Sequence, residues 1–346
     1  MDEKANEALK PLPETNEDGL LNVSPSPHMR TRTNIRSVMT DVIVALLPAY
    51  IWGVCVFGNR VLLIGLISVA SAVLIEALTQ KLLRRPVTVS DCSAALTGML
   101  IAMNMPVTVP LWFPVVGAFF AIVIVKQLSG GLGKNIVNPA LAARVFLFSW
   151  ASDMTSFTEA GERINSLGIR VSGDIVATAT PLASLDAGVA PPNSILDMFI
   201  GNIGGSIGEV SSVLLLLGGI YLLVRRVITW HIPVSFIGTV IVLTYTFPQV
   251  GSSFDFMLYE ILAGGLMLGA IYMATDYATS PLTPNGRVIY GVGCGAITVL
   301  IRFFGGYAEG VSFAILIMNL LVWFLDLVGM PRRFGKAAHK KSEEEA

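Results

Sequence analysis

Val61-Leu-Leu-Ile-Gly-Leu-Ile-Ser-Val-Ala-Ser-Ala-Val-Leu-Ile-Glu-Ala-Leu-Thr79 holds a single ionisable side chain, Glu76. An α-helix crossing the hydrocarbon layer of a membrane needs about 17–25 such predominantly apolar residues. The same criterion finds nine more candidate spans, at Val38–Phe57, Asp91–Met105, Leu111–Leu128, Ile136–Trp150, Val210–Val224, Ile232–Phe247, Phe256–Thr275, Val288–Phe303 and Val311–Met330. Asp91–Met105 and Ile136–Trp150 are short or interrupted, and Leu196–Ile207 reads as an interfacial or re-entrant piece. The predicted fold class is an all-α polytopic membrane protein of about ten helices.

Composition agrees. The 346 residues are 53% hydrophobic and 14% charged, with a mean hydropathy of +0.69. Soluble domains carry about 25% charged residues, and this chain cannot cover a water-facing surface of that size. Cys55, Cys92 and Cys294 are far apart and form no Cys-x-x-Cys pair, which excludes an iron–sulfur cluster or structural zinc held by this chain alone. Of three histidines, His28 and His339 lie in polar tails, so paired axial ligands for a membrane haem are missing. Met1–Pro27 is acidic and polar without an apolar core, which reads as a disordered tail rather than a signal peptide.

Lys and Arg stay on the cytoplasmic side of a membrane. With the N-terminus inside, that side collects Arg30, Arg32, Arg36, Lys81, Arg84, Arg85, Lys126, Lys134, Arg225, Arg226, Arg287 and the basic cluster from Arg332 to Lys341. The opposite side holds Arg60, Arg163 and Arg170, with Arg302 near a helix end. Ten spans with both termini cytoplasmic fit best. The expected organisation is a tail at 1–35, a first membrane repeat at 36–152, an outward-facing loop at 153–193, a second repeat at 194–330 and a tail at 331–346.

A shift of 175 positions matches Pro106 with Pro281, Thr108 with Thr283, Ala121-Ile122 with Ala296-Ile297, and Gly130-Gly131 with Gly305-Gly306. Two halves of five spans each must be inverted relative to one another, an arrangement that commonly builds a site near the midplane. The Pro106–Pro110 and Pro281–Pro284 turns break helices, so they are either buried in protein or sit at the membrane surface where water reaches them. The clustered glycines at 201–208 and 291–295 read as close helix contacts. Gly130-Gly-Leu-Gly-Lys134 lacks the spacing and the preceding strand of a phosphate loop.

Three groups of residues could carry chemistry. Asp174-Ile-Val-Ala-Thr-Ala-Thr180-Pro181 lies in the long polar loop, where a hydroxyl flanked by small residues is open to a modifying enzyme; a plain turn explains it equally well. Asn135 and Asn138, three apart at the start of the fifth span, would share a helix face and offer amides to a planar heterocycle, although capping explains one of the two. Asp41, Glu76, Glu260 and Asp326 are acids within or near spans, where a charge is costly and usually functional. Arg144, inside the fifth span, suits an acid or an anionic group.

With these residues in view, Arg36–Pro331 resembles the family containing the D subunit of the Rnf ion-translocating electron-transport complex and the B subunit of the Na+-translocating NADH:quinone reductase. The resemblance is carried by Leu100–Pro110, Lys126–Leu141, Ala179–Leu182 and Thr275–Pro281. The shorter N-terminal tail favours the former. The resemblance implies FMN joined through its phosphate to the threonine of an Asp-x-x-(Ser/Ala)-x-Ala-Thr pattern, which Asp174, Ala177, Ala179 and Thr180 fit. The neighbouring Thr178 replaces the more usual glycine. It further implies a noncovalent riboflavin near Asn135 and Asn138, and maturation by a flavin transferase outside the cytoplasm. The implied partners are other Rnf subunits, including a second covalent-FMN subunit and iron–sulfur subunits, with no nucleic acid involved. The expected function is a flavoprotein subunit of a redox-driven Na+ or H+ pump in a bacterial or archaeal cytoplasmic membrane, with electrons relayed between NADH and ferredoxin. Glu76, Glu260 and Asp41 are then candidates for the ion path. Two readings from other classes, an inverted-repeat channel or transporter and a passive scaffold, predict no bound chromophore.

Overall fold

The computed structural model describes residues 34–161, 164, 180–305 and 309–329, which form helices and no strand. The helices that matter here are α1 (Ile35–Phe57), α2 (Arg60–Leu82), α3 (Ser93–Met103), α4 (Phe113–Phe119), α5 (Pro139–Leu147), α6 (Ser212–Val224), α7 (His231–Thr246), α8 (Ser253–Leu262), α9 (Leu266–Leu268), α10 (Pro284–Phe304) and α11 (Val311–Gly329). Two of them run on as π-helical turns, α4 through Phe120–Gln127 and α9 through Gly269–Met273. This is a polytopic membrane fold.

The founding stretch shows why. On α2, Val61, Ile64, Gly65, Ser68, Ala72, Glu76 and Gln80 recur every three or four residues and are buried. Leu66, Leu74 and Leu78 on the other side are 69%, 62% and 65% exposed. A helix in water would make that second face polar. Apolar residues all round, with the small and polar ones turned inward, describe a helix whose outer solvent is lipid. Close approach follows from the small residues: a Cβ at Gly98 of α3 would meet the Ser68 carbonyl oxygen of α2 at 2.8 Å. The Ser68 hydroxyl donates to the Gly98 carbonyl across the same contact (2.6 Å).

Each of the ten predicted spans has an apolar helical counterpart, and among the described residues α1, α2 and α10 are single helices of 18 residues or more that are apolar enough to cross a membrane. The predicted Phe256–Thr275 helix is instead a pair, α8 and α9, bent by 63°. Gly264 causes the break: its φ of +68° lies in the left-handed region, which glycine enters without a Cβ penalty.

The two proline turns turn out differently. Met105, Val107 and Val109 are buried, and the carbonyls freed there are taken up by protein donors. Arg60 donates through Nε to the Val107 carbonyl and through Nη2 to that of Val109, each at 2.9 Å. Ile207 and Gly208 donate their N–H groups to Met105 and Met103. That turn is a protein-lined break of the tolerated kind. At the second turn Leu282 is 74% exposed, and its N–H is met by Asp326 (2.8 Å). The N-terminal tail before residue 34, the whole C-terminal tail and the 165–179 part of the loop lie outside the described residues, so Asp174, Ala177, Thr178 and Ala179 do too.

Candidate functional site

Two cavities open at opposite ends of α5. One, with about 780 Å³ of empty space, is lined by Asn135, Asn138, Lys126, Ser93, Tyr272 and Asp276 among others. The second, about 590 Å³, is lined by Thr180, Phe148, Gly204, Gly205, Glu209 and Glu309 among others.

At the first cavity, Pro139 fixes where α5 begins. A residue before proline is pushed out of the helical region, and Asn138 is extended (φ −64°, ψ 121°). Its Oδ1 accepts from the Ala140 and Leu141 N–H groups, and its Nδ2 donates to the Met273 carbonyl (3.2 Å), which belongs to the π-helical turn after α9. Asn135 therefore precedes the helix and does not share a face of it, contrary to the expectation from spacing. It is buried, lines the cavity, and its Oδ1 has no hydrogen-bond partner. Such an orphaned acceptor suits a bound donor.

Lys126, carried in the π-helical turn after α4, is buried and pairs with Glu76 (2.7 Å) while donating to the Ser93 hydroxyl (2.6 Å). Gln127 and Gln80 also donate to Glu76. Burying this pair is tolerable because every charge meets an opposite one and added hydrogen bonds. Glu76 Oε2 remains without a partner.

At the second cavity, Thr180 starts a short helix, Pro181–Asp186, as its cap: Oγ1 accepts from the Ala183 N–H at 3.2 Å. The side chain is half-buried at the cavity wall. Behind it, Arg144 is buried and clamps two acids that hydropathy and spacing did not single out. Its Nη1 donates to Glu209 (2.9 Å) and to Asn104 (2.6 Å), and its Nη2 donates to Glu309. The Gly265 N–H donates to Glu309 (2.8 Å). Both acids lie in loops between helices. Burial, and then the Glu309 carboxylate, pushes Glu209 up to about 8 against the pull of Arg144. Burial also raises Glu309, but Arg144, the Glu209 hydrogen bond and the Gly265 N–H outweigh it and hold that carboxyl below its ordinary value.

Two of the other candidate acids are also ion-paired, whereas Asp326 accepts from the Leu282 N–H. Glu260 of α8 is buried against Arg302 of α10 (2.7 Å). Asp41 accepts from Arg225 and Tyr221, with Arg225 54% exposed, so that pair sits at a surface. No cluster of three or more metal-ligating side chains is found among the described residues.

Comparison with known proteins places the chain in a family. Residues 22–335 match the model of the NQR2, RnfD, RnfE family. The chain belongs to that family. Among curated members, it is 45% identical to the D subunit of the Na(+)-translocating ferredoxin:NAD(+) oxidoreductase complex of Acetobacterium woodii, over 93% of this chain and 97% of the relative. It is 39% identical to the D subunit of the proton-translocating ferredoxin:NAD(+) oxidoreductase complex of Clostridium ljungdahlii, over 91% and 96%. It is 38% identical to the D subunit of the ion-translocating oxidoreductase complex of Stutzerimonas stutzeri, over 90% and 95%. Relatives named for different ions thus belong to one family with this chain.

Proposed function

We propose that this chain is the flavin-carrying D subunit of an Rnf-type ion-translocating ferredoxin:NAD+ oxidoreductase complex. In this reading it carries FMN on Thr180 and a second, noncovalent flavin, riboflavin, in the Asn135 cavity. The observation that carries the reading is the pairing of two cavities with one helix. Ala140 and Phe148, at the two ends of α5, line different cavities and stand about 12 Å apart along the helix at 1.5 Å per residue.

A flavin passes electrons singly or in pairs, which lets it join carriers of different kinds. The protein's share is placement, exclusion of water and charge. At the Thr180 cavity the wall is open beside Gly205, where a Cβ would meet nothing within 4 Å, while Gly204 lets the chain pack against the Thr158 carbonyl oxygen, which a Cβ would meet at 2.6 Å. At the other cavity, Asn135 offers its orphaned amide oxygen, and Lys126 offers a cation to a ring that gains negative charge. An unpaired charge at membrane depth is expensive, so movement of Na+ or H+ toward it lowers the cost. Glu76, with one oxygen free, and Glu260 are the acids proposed to handle that ion, with Asp41 nearer a surface.

The reading includes ten spans as two inverted halves and both termini cytoplasmic. The loop bearing Asp174, Ala179 and Thr180 then faces a flavin transferase acting outside the cytoplasm. A parallel between the halves supports it: Gln127 and Arg302, 175 positions apart, each donate to a buried glutamate, Glu76 and Glu260. The partners are other Rnf subunits, among them a second covalent-FMN subunit and iron–sulfur subunits. Ultraviolet illumination of a denaturing gel tests the assignment after co-expression with the transferase. The expected result is a fluorescent band at this chain's mass that disappears in Thr180→Ala; a dark wild-type band rejects it.

A further inference from the structure

We propose that Glu209 holds an exchangeable proton beside the Thr180 cavity and delivers it to the ring carried there, with Arg144 and Glu309 as positioning residues. The proposal rests on the reading of Thr180 as the attachment point, and goes beyond it by assigning the proton.

Charge balance requires one proton in this cluster. Glu209 and Glu309 converge on Gly265, where an added Cβ would meet their Oε1 atoms at 2.8 and 3.2 Å. Arg144 binds both, so two carboxylates share one guanidinium and would leave one uncompensated negative charge. Arg302 of α10 also lies near Glu309, beside Gly264, but is itself paired with Glu260 of α8, so three acids and two arginines still leave one excess negative charge. Carboxyl groups this close do not both ionise in an apolar setting, and one proton restores neutrality.

Geometry decides which acid carries it. Glu309 receives two N–H donors, from Arg144 Nη2 and Gly265, which favour its ionised form. Glu209 receives one, from Arg144 Nη1, which is shared with Asn104. Burial pushes Glu209 upward, in the same direction. Glu209 and Thr180 line one cavity, so the carboxyl faces the space a ring on Thr180 would occupy. A buried and unpartnered hydroxyl, that of Ser206, sits three residues before Glu209.

With a flavin attached at Thr180, Glu209 would break its O–H bond and supply the proton that accompanies an electron from the complex's own carriers, the proton passing to a ring nitrogen. Glu209 would be left as a carboxylate held by Arg144 and would be reprotonated from bulk solvent.

Infrared spectroscopy of the intact complex tests this. In the Thr180→Val complex, which would carry no FMN on this chain, the expected result is a protonated-carboxyl band that titrates out near pH 8, is lost in Glu209→Gln and survives in Glu260→Gln. In the FMN-bearing complex the same band should fall on reduction, and Glu209→Gln should slow ring protonation about a hundredfold. Absence of the band, its persistence in Glu209→Gln, or its indifference to reduction would overturn the proposal. If Glu209→Gln does not assemble, the titration and redox response of the band in the unsubstituted Glu209 proteins decide alone. A bare Thr180 in peptide mapping would remove the attachment reading and the delivery step with it, while leaving the band of the Thr180→Val complex in place.

Discussion

The two ends of α5 solve one problem in opposite ways. At the Asn135 end, Glu76 and Lys126 form a buried pair, Asp276 on the same wall is held outside that pair by the Ala278 N–H and the Thr279 hydroxyl, and a neutral amide oxygen is left unsatisfied. At the Thr180 end, all the named carboxylates are engaged, but the count of charges is uneven: two acids to one arginine. The first end is prepared for a ligand that brings hydrogen-bond donors. The second is prepared for a proton. A chain that moves charge in response to electrons needs both kinds of place, and here they are joined by about two and a half turns of helix.

That contrast can be broken most forcefully at Arg144. Arg144→Met leaves two buried acids without a cation, and breaking such a pair costs about 3–5 kcal/mol. Denaturation of the detergent-solubilised protein should show this loss, with Arg144→Lys recovering only part of it, since an ammonium cannot reproduce the forked contacts to Glu209, Asn104 and Glu309. Equal stability of Arg144→Met and the native protein would remove the clamp from the account.

At the other end, Glu76→Gln should cost about 3 kcal/mol by stranding Lys126, whereas the double replacement Glu76→Leu, Lys126→Met should recover most of it. Recovery identifies a pair whose worth lies in mutual compensation; no recovery would mean that Glu76 is held by Gln80 and Gln127 instead.

A finer distinction separates the two asparagines. Asn138→Ala removes a cap and should lower stability by about 1 kcal/mol. Asn135→Ala removes an atom without a partner and should change stability by less than about 0.5 kcal/mol. If the cavity holds the second flavin, the same Asn135→Ala change should lower noncovalent flavin content in the purified complex. A stability loss at Asn135 equal to that at Asn138 would make it an ordinary structural residue.

How far the sequence could be read follows from where each residue sits. The period of Val61, Ile64, Ser68, Ala72 and Glu76, set against Leu66, Leu74 and Leu78, is visible in one dimension because a helix in lipid writes it directly. Helix lengths were less legible. Gly264 cuts the predicted Phe256–Thr275 span where hydropathy stays high, because apolar side chains continue through backbone that is no longer helical. Arg60 was legible as a charge but not as the donor that makes the buried turn possible. Asn138 was recognisable as a cap from Pro139, and that same proline moved Asn135 off the helix. Glu209 and Glu309 were missed because they lie between apolar runs, in stretches that read as aqueous loops. Their one signal was Arg144, a buried cation within a span that had to find an anion somewhere.

The central claim, that a redox ring is fixed at one end of α5, is tested most directly by mass spectrometric peptide mapping of the native complex. The account predicts the mass of FMN on the peptide containing Thr180, with fragmentation placing it on that residue rather than Thr178, and its loss in Thr180→Val. An unmodified Thr180 in a preparation whose transferase is active would contradict it.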